Sequence, residues 1–315
     1  MASPPIARLR GVLLCLLLAV GGMAAADSKD SLADRIQGDL EAGRLDSALA
    51  SAREAVSKDP QSSEFQQLLG VALFKKGLNQ DARAAFRHAI DLDPHIPQNY
   101  FDLALVDLAE HDYPEASKSL EACLRLDPRN AQAHLLLGRA YHNQNQTLPA
   151  IEQFRRALDL NSSLPLAHYH LGYAYQSLGN LASALGEYHR EIAVNPAFPS
   201  AYWLAGNIEL KFGNLDSAEK LFRQALRLKP QAYQAHFGLA RVFMERRQFA
   251  DAETELAAAL RAQPGGSEIH YALARLYQQT GRKDAADHEF AVCAALHAQE
   301  QRKAAGIAGA APQPY

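Results

Sequence analysis

The chain has 315 residues, 48% hydrophobic and 21% charged, with 32 Lys and Arg against 35 Asp and Glu. That is ordinary composition for a folded soluble protein. The formal net charge of −3 excludes the strongly basic surface that sequence-independent nucleic-acid binding needs, and no local run of Lys and Arg restores one.

Residues 1–26 have the layout of an export signal: Arg8 and Arg10 form a positive start, Gly11 to Val20 an apolar stretch, and Ala24, Ala25 and Ala26 a small-residue cleavage site. The mature chain is expected to begin at Asp27, outside the cytoplasm, periplasmic or secreted, with a net charge of −5. The apolar run is shorter than the ~20 residues of a membrane-spanning helix and Gly21 and Gly22 interrupt it, so retention as an anchor is the lesser alternative. No stable span is expected once the signal is removed. Cys15 follows Leu14 in the middle of the apolar stretch, the wrong place for lipid attachment.

Beyond this segment, prolines fall at 60, 94, 128, 196, 230 and 264, and every gap is 34 or twice 34; the skipped slot is Ser162. With each Pro at position 32, repeats begin at 29, 63, 97, 131, 165, 199, 233 and 267. Position 20 is then Ala in all eight, from Ala48 to Ala286. Position 8 is Gly or Ala in the last seven, and position 24 an aromatic or Leu in the same seven. Positions 4, 7, 8 and 11 describe one amphipathic helix, Gly77, Gly179, Gly213 and Gly281 at position 15 stop it, and positions 20, 24 and 27 describe a second helix. Pro97, Pro165 and Pro199 open the next repeat, where a helix start tolerates a missing N–H.

This pattern resembles the tetratricopeptide repeat across nearly the whole of residues 27–304. The resemblance implies an all-α solenoid of eight helix-turn-helix repeats wound as a right-handed superhelix, whose first helices line a concave inner wall. Stacking would give the repeats a shared core that none could form alone. Repeat one, with Ile36 at position 8 and Asp39 at position 11, reads as an N-terminal cap. Repeat eight lacks the closing Pro, so its second helix should run on through Gln299 to Lys303 as a polar C-terminal cap. Residues 305–315 read as a disordered tail.

The search for chemistry is largely negative. No phosphate-binding loop, nucleophile elbow or calcium loop is present, and His288-Glu289 fails as a zinc-protease motif because Val292 stands where the second His must be. No catalytic residue, cofactor or metal site is expected. Cys123 and Cys293 share position 27 five repeats apart, too far for a disulfide, and read as packing. His134, His168, His236 and His270 occupy position 4, where an imidazole fills a slot for a bulky ring. Sequons at Asn145 and Asn161 matter only in a eukaryotic secretory route. Glu191 takes position 27, Ala or Cys in every other repeat; a buried carboxylate needs partners, and the expected outcome is a local shift that frees its head to solvent.

The off-core face of the first helix is the candidate working surface. Position 5 reads Gln67, Phe101, Leu135, Tyr169, Trp203, Phe237, Tyr271, and position 9 reads Val71, Leu105, Arg139, Tyr173, Asn207, Arg241, Arg275. Rings beside Arg and Asn suit a groove for an extended peptide or a sugar chain. Packing of position 5 against the neighbouring first helix accounts for the same pattern, and both explanations stay open. Phe101, Arg139, Tyr169, Tyr173, Trp203, Asn207, Phe237, Arg241, Tyr271 and Arg275 are the candidate groove residues. The expected function is a non-enzymatic protein-interaction scaffold or adaptor that binds an extended peptide or protein segment. The alternative is a glycan-binding or accessory subunit in envelope polysaccharide assembly or secretion. A two-carboxylate clamp of the kind some relatives use begins with Lys at about position 5, where this chain has aromatics, so that ligand is not expected.

Overall fold

The computed structural model describes residues 31–304; the proposed signal and the proposed tail lie outside the described residues. Among the described residues there are sixteen helices and no strand. Each repeat supplies two: α1 (31–41) and α2 (Leu45–Lys58); α3 (Ser63–Lys75) and α4 (Asn79–Leu92); α5 (Pro97–Ala109) and α6 (Tyr113–Leu126); α7 (Ala131–Asn143) and α8 (Thr147–Leu160). Then come α9 (Ala167–Ser177) and α10 (Leu181–Val194); α11 (Pro199–Lys211) and α12 (Leu215–Leu228); α13 (Tyr233–Glu245) and α14 (Phe249–Ala262); α15 (Ser267–Gln279) and α16 (Lys283–Ala304). The array divides into two compact bodies between Leu160 and Asn161, four repeats in each. As expected, α16 continues through exposed Gln299 to Lys303.

Close approach within each pair follows from side-chain size. Every position-20 Ala is buried, and a methyl added to Gly70 or Gly138 would sit 2.6 or 2.5 Å from the rings of Phe86 or Phe154 at position 24. Gly at position 8 accompanies an aromatic at position 24 in four repeats, whereas Ala104 and Ala240 accompany the smaller Leu120 and Leu256; Ala274 with Phe290 is the exception. Repeat one inverts the sizes. Ile36 is fully buried in the same cluster as Ala52, so the large group stands on the first helix and the small one on the second. The volume is conserved rather than the residue, as close packing demands.

Position 15 adopts positive φ in every repeat: Gly43, Gly77, His111, Asn145, Gly179, Gly213, Arg247 and Gly281. The turn therefore requires a left-handed residue, which Gly supplies without strain.

One expectation widens and two are corrected. The first helix buries positions 3, 8 and 10 in repeats two to eight, often joined by 6 and 7, in addition to positions 4 and 11, which are buried or half-buried throughout; in α13 the buried residues are Ala235, Gly238, Leu239, Ala240, Val242 and Phe243. Within each body, a first helix that follows another repeat packs against both its own second helix and the second helix of the preceding repeat, as α13 does against α14 and α12, so more than one narrow stripe is covered. Both corrections concern repeat five. Pro165 does not open a helix: α9 starts at Ala167 after Leu166, whose φ is +68°. Glu191 does not reach solvent. It is fully buried on α10, and its Oε1 and Oε2 accept from the backbone N–H groups of Leu166 at 3.0 Å and Tyr169 at 3.2 Å. The irregular start of α9 leaves N–H groups without helical acceptors, and a carboxylate satisfies them.

Candidate functional site

The position-5 ladder is not uniform. Leu135 is buried; Phe101, Tyr169, Trp203 and Phe237 are partly buried; Tyr271 is 48% exposed. In the first body Phe101 packs on the cluster around Leu136 and Leu137, while Arg139 is exposed. In the second body Trp203 packs against two core clusters, one around Tyr188 and Leu204 and the other around Phe222 and Leu239, with Asn207 partly buried on the same helix. Tyr169 contacts Phe198 edge-on at 5.1 Å and stacks on exposed Tyr173 at 6.4 Å. Burial and the neighbouring Tyr173 push the Tyr169 hydroxyl pKa up.

The last two repeats bring position-5 and position-9 residues to a common cavity. It measures about 990 Å³ and lies on α13, α15 and α16 and the first residue of α14, lined by Phe237, Arg241, Tyr271 and Arg275 together with Met244, Phe249, Arg247, Glu245, Glu268, Cys293 and His297. The ring–guanidinium pairing is intrahelical. Arg241 sits one turn beyond Phe237, its guanidinium carbon 6.0 Å from the ring centroid, and Arg275 one turn beyond Tyr271, donating to its hydroxyl at 3.4 Å. Neither Arg forms an ion pair among the described residues, whereas nearby Arg246 and Arg282 are held by carboxylates outside the cavity. Arg241 and Arg275, each beside a ring, and exposed Arg247 thus line the cavity beside an apolar floor of Phe249 and Met244.

The position-4 histidines do more than fill a slot, and here the sequence held an unused signal. His168, His236 and His270 place Nδ1 2.6 to 2.7 Å from Glu187, Glu255 and Glu289, and His134 places it 2.7 Å from Gln153. All four partners stand at position 23, and the repeats without His at position 4 carry Ala, Ser or Leu there. In three of them Nε2 also approaches a carbonyl of the preceding repeat's closing Pro: Pro128 at 3.2 Å, Pro230 at 2.9 Å and Pro264 at 3.3 Å. Tyr100 and Tyr202 donate their hydroxyls to the Pro94 and Pro196 carbonyls in the same way, so in five repeats position 4 ties the repeat to the turn before it. Among the described residues no three His, Cys, Asp or Glu converge as metal ligands, and no helix is long and apolar enough to cross a membrane. Cys123 and Cys293 are buried and unbridged.

Sequence profiles described as tetratricopeptide repeat match residues 34–96, 101–165, 144–202 and 169–233, a second matches 209–276 and a third 267–293. The chain belongs to the tetratricopeptide repeat family. A BBSome complex member BBS4 homolog of Drosophila melanogaster is 28% identical over 94 residues, 30% of this tetratricopeptide chain and 19% of the relative, so the match spans about a fifth of that protein. Among solved structures, Pseudomonas aeruginosa PilF is 19% identical with a TM-score of 0.61, covering 67% of this chain and 96% of its own. YrrB, described as a TPR protein with an unusual peptide-binding site, is 21% identical with a TM-score of 0.50, covering 58% and 95%. Both show a shared tetratricopeptide fold.

Proposed function

We propose that the chain is a non-enzymatic scaffold that seats a segment of a partner protein in the cavity on α13, α15 and α16. The observation that carries this reading is the convergence there of two aromatic–Arg pairs on an apolar floor. The cavity has the size of a ligand site, roughly 300 to 1,000 Å³, and mixes apolar area with a few polar heads. An interaction role is in keeping with the family and with YrrB's described peptide-binding site. The N-terminal segment supports a setting outside the cytoplasm. The arginines favour a peptide over a neutral glycan, because a neutral sugar offers a guanidinium no carboxylate.

The test is a pull-down from the native cells with Tyr271→Ala, matched against Leu148→Ala, which removes an exposed side chain on α8 in the other body. Tyr271 is an exposed anchor, so its loss should weaken capture by ~2 kcal/mol or more, roughly 30-fold, with little change in melting temperature. A Tyr271→Ala chain that captures its partner as well as Leu148→Ala would refute the assignment.

A further inference from the structure

Repeat five departs from the array in two ways that bear on one side chain. Among the described residues only Leu166 adopts positive φ outside position 15, and buried Glu191 holds the N–H groups of Leu166 and Tyr169. Non-glycine residues kept in the left-handed region cluster at ligand sites. The Tyr169 ring is met edge-on by His170 at 5.0 Å and Phe198 at 5.1 Å, and lies 6.4 Å from fully buried Tyr188. Tyr169 in turn backs Tyr173, one turn along α9: the two rings are within 25° of parallel, their centroids 6.4 Å apart, and Tyr173 is 43% exposed. An open ring on a fixed support is thus built into α9.

The chemistry around that ring is uncharged. The helix carries no Lys, Arg, Asp or Glu, and the Glu191 carboxylate beneath it is fully buried and engaged by backbone N–H groups. An anion finds no cation here, and a nucleic acid stacking its bases would need cations along its phosphates as well. Neutral hydrogen-bonding groups are present instead. Gln176 stands one turn beyond Tyr173, its Oε1 accepting the Tyr188 hydroxyl at 2.9 Å, which leaves its amide nitrogen as the donor, and Tyr173 has its own hydroxyl. A pyranose ring has an apolar C–H face and a rim of hydroxyls, the counterpart of a flat ring beside neutral donors and acceptors.

We infer that Tyr173, backed by Tyr169, is a stacking site for a neutral glycan, separate from the cavity on α13, α15 and α16. One sugar ring lies by its C–H face on Tyr173, with Gln176 donating to a hydroxyl. The probes are cellohexaose and chitohexaose, uncharged β-linked chains whose rings have flat C–H faces, titrated into the purified full chain by calorimetry. At least one should bind, Tyr173→Ala should weaken it ~10-fold, and Tyr173→Trp should restore it, since either ring can stack. Tyr271→Ala should leave the sugar affinity unchanged. Circular dichroism should show the Tyr173 variants folded, because the side chain is exposed. Failure of both sugars to bind, or binding indifferent to Tyr173→Ala, overturns the inference. So does loss of the native protein partner on Tyr173→Ala with neither sugar bound, which would assign this face to the scaffold's protein ligand. Loss of the partner on Tyr271→Ala alone bears on the scaffold reading and not on this one.

Discussion

At the scale of single residues, Glu191 separates what a repeat average implies from what this chain needs. Ala fills position 27 in five repeats, so Glu191→Ala looks on sequence grounds like a repair. The structure implies the reverse. The variant would strand the N–H groups of Leu166 and Tyr169 in a buried place, at ~1–3 kcal/mol for each. Chemical denaturation should show Glu191→Ala losing ~2–5 kcal/mol, and a neutral or stabilised variant would mean that the cap contributes nothing. His236 gives a pH dependence. Both its ring nitrogens face acceptors, Glu255 and the Pro230 carbonyl, and only the imidazolium can donate to both. The hydrogen bond to Glu255 raises its pKa above the ordinary value, aided by the Pro230 carbonyl and opposed by burial and by Arg261. A folded pKa above the unfolded one means that the stabilisation is complete below about pH 6.5 and is lost as pH rises through the folded pKa. Wild type should therefore exceed His236→Gln in melting temperature most at pH 5.5 to 6, and the gap should close toward pH 8.5. Cys123 is a different kind of buried group. Burial pushes its thiol up to about 11, so it should resist thiol reagents at pH 8 until the chain unfolds.

At the scale of elements, the helix pair is specified by the match of position 8 to position 24. Gly138→Ala drives a methyl into the Phe154 ring and should cost ~1–3 kcal/mol. Phe154→Leu in the same chain recreates the pairing found at Ala104 with Leu120, and the double variant should recover much of the loss. Strict additivity in a double-mutant cycle would show that the two positions do not share a volume constraint. The turn between the helices carries its own strain where position 15 is not Gly. A left-handed conformation costs most L-residues ~1–2 kcal/mol, against ~0.5–1 kcal/mol of extra chain entropy for Gly. His111→Gly and Arg247→Gly should each gain roughly 0.5–1 kcal/mol, and Asn145→Gly less, since Asn enters that region more readily. These were legible patterns: the turn falls at one register because a single residue there must adopt positive φ, whatever its neighbours.

At the scale of the molecule, four repeats make up each compact body, and each body has its own buried clusters. The division falls at the one repeat boundary where the closing Pro slot is Ser162 and the next first helix is shortened at its start. Chains of residues 27–160 and 161–304, expressed separately, should both be helical and melt cooperatively, because repeat arrays are stabilised chiefly by neighbouring interfaces. A fragment that stays unfolded alone would show that its repeats need the other body to fold.

The amino-acid sequence alone determined the helical class, the eightfold repeat, the register of the turns and the small residues at positions 8 and 20. Each of these is enforced inside one repeat, by backbone conformation or by two facing side chains, and recurs often enough to be read. The pairing of His at position 4 with an acceptor at position 23 was equally present in the sequence, and escaped notice because it joins two helices rather than one periodic face. Only the tertiary structure decided that Glu191 turns inward, that Leu135 is covered while Tyr271 is open, and that Phe237, Arg241, Tyr271 and Arg275 share one cavity. Those outcomes depend on contacts between helices of different repeats. A helical wheel describes the faces of one helix, whereas burial of each face is set by the neighbours packed on either side of it.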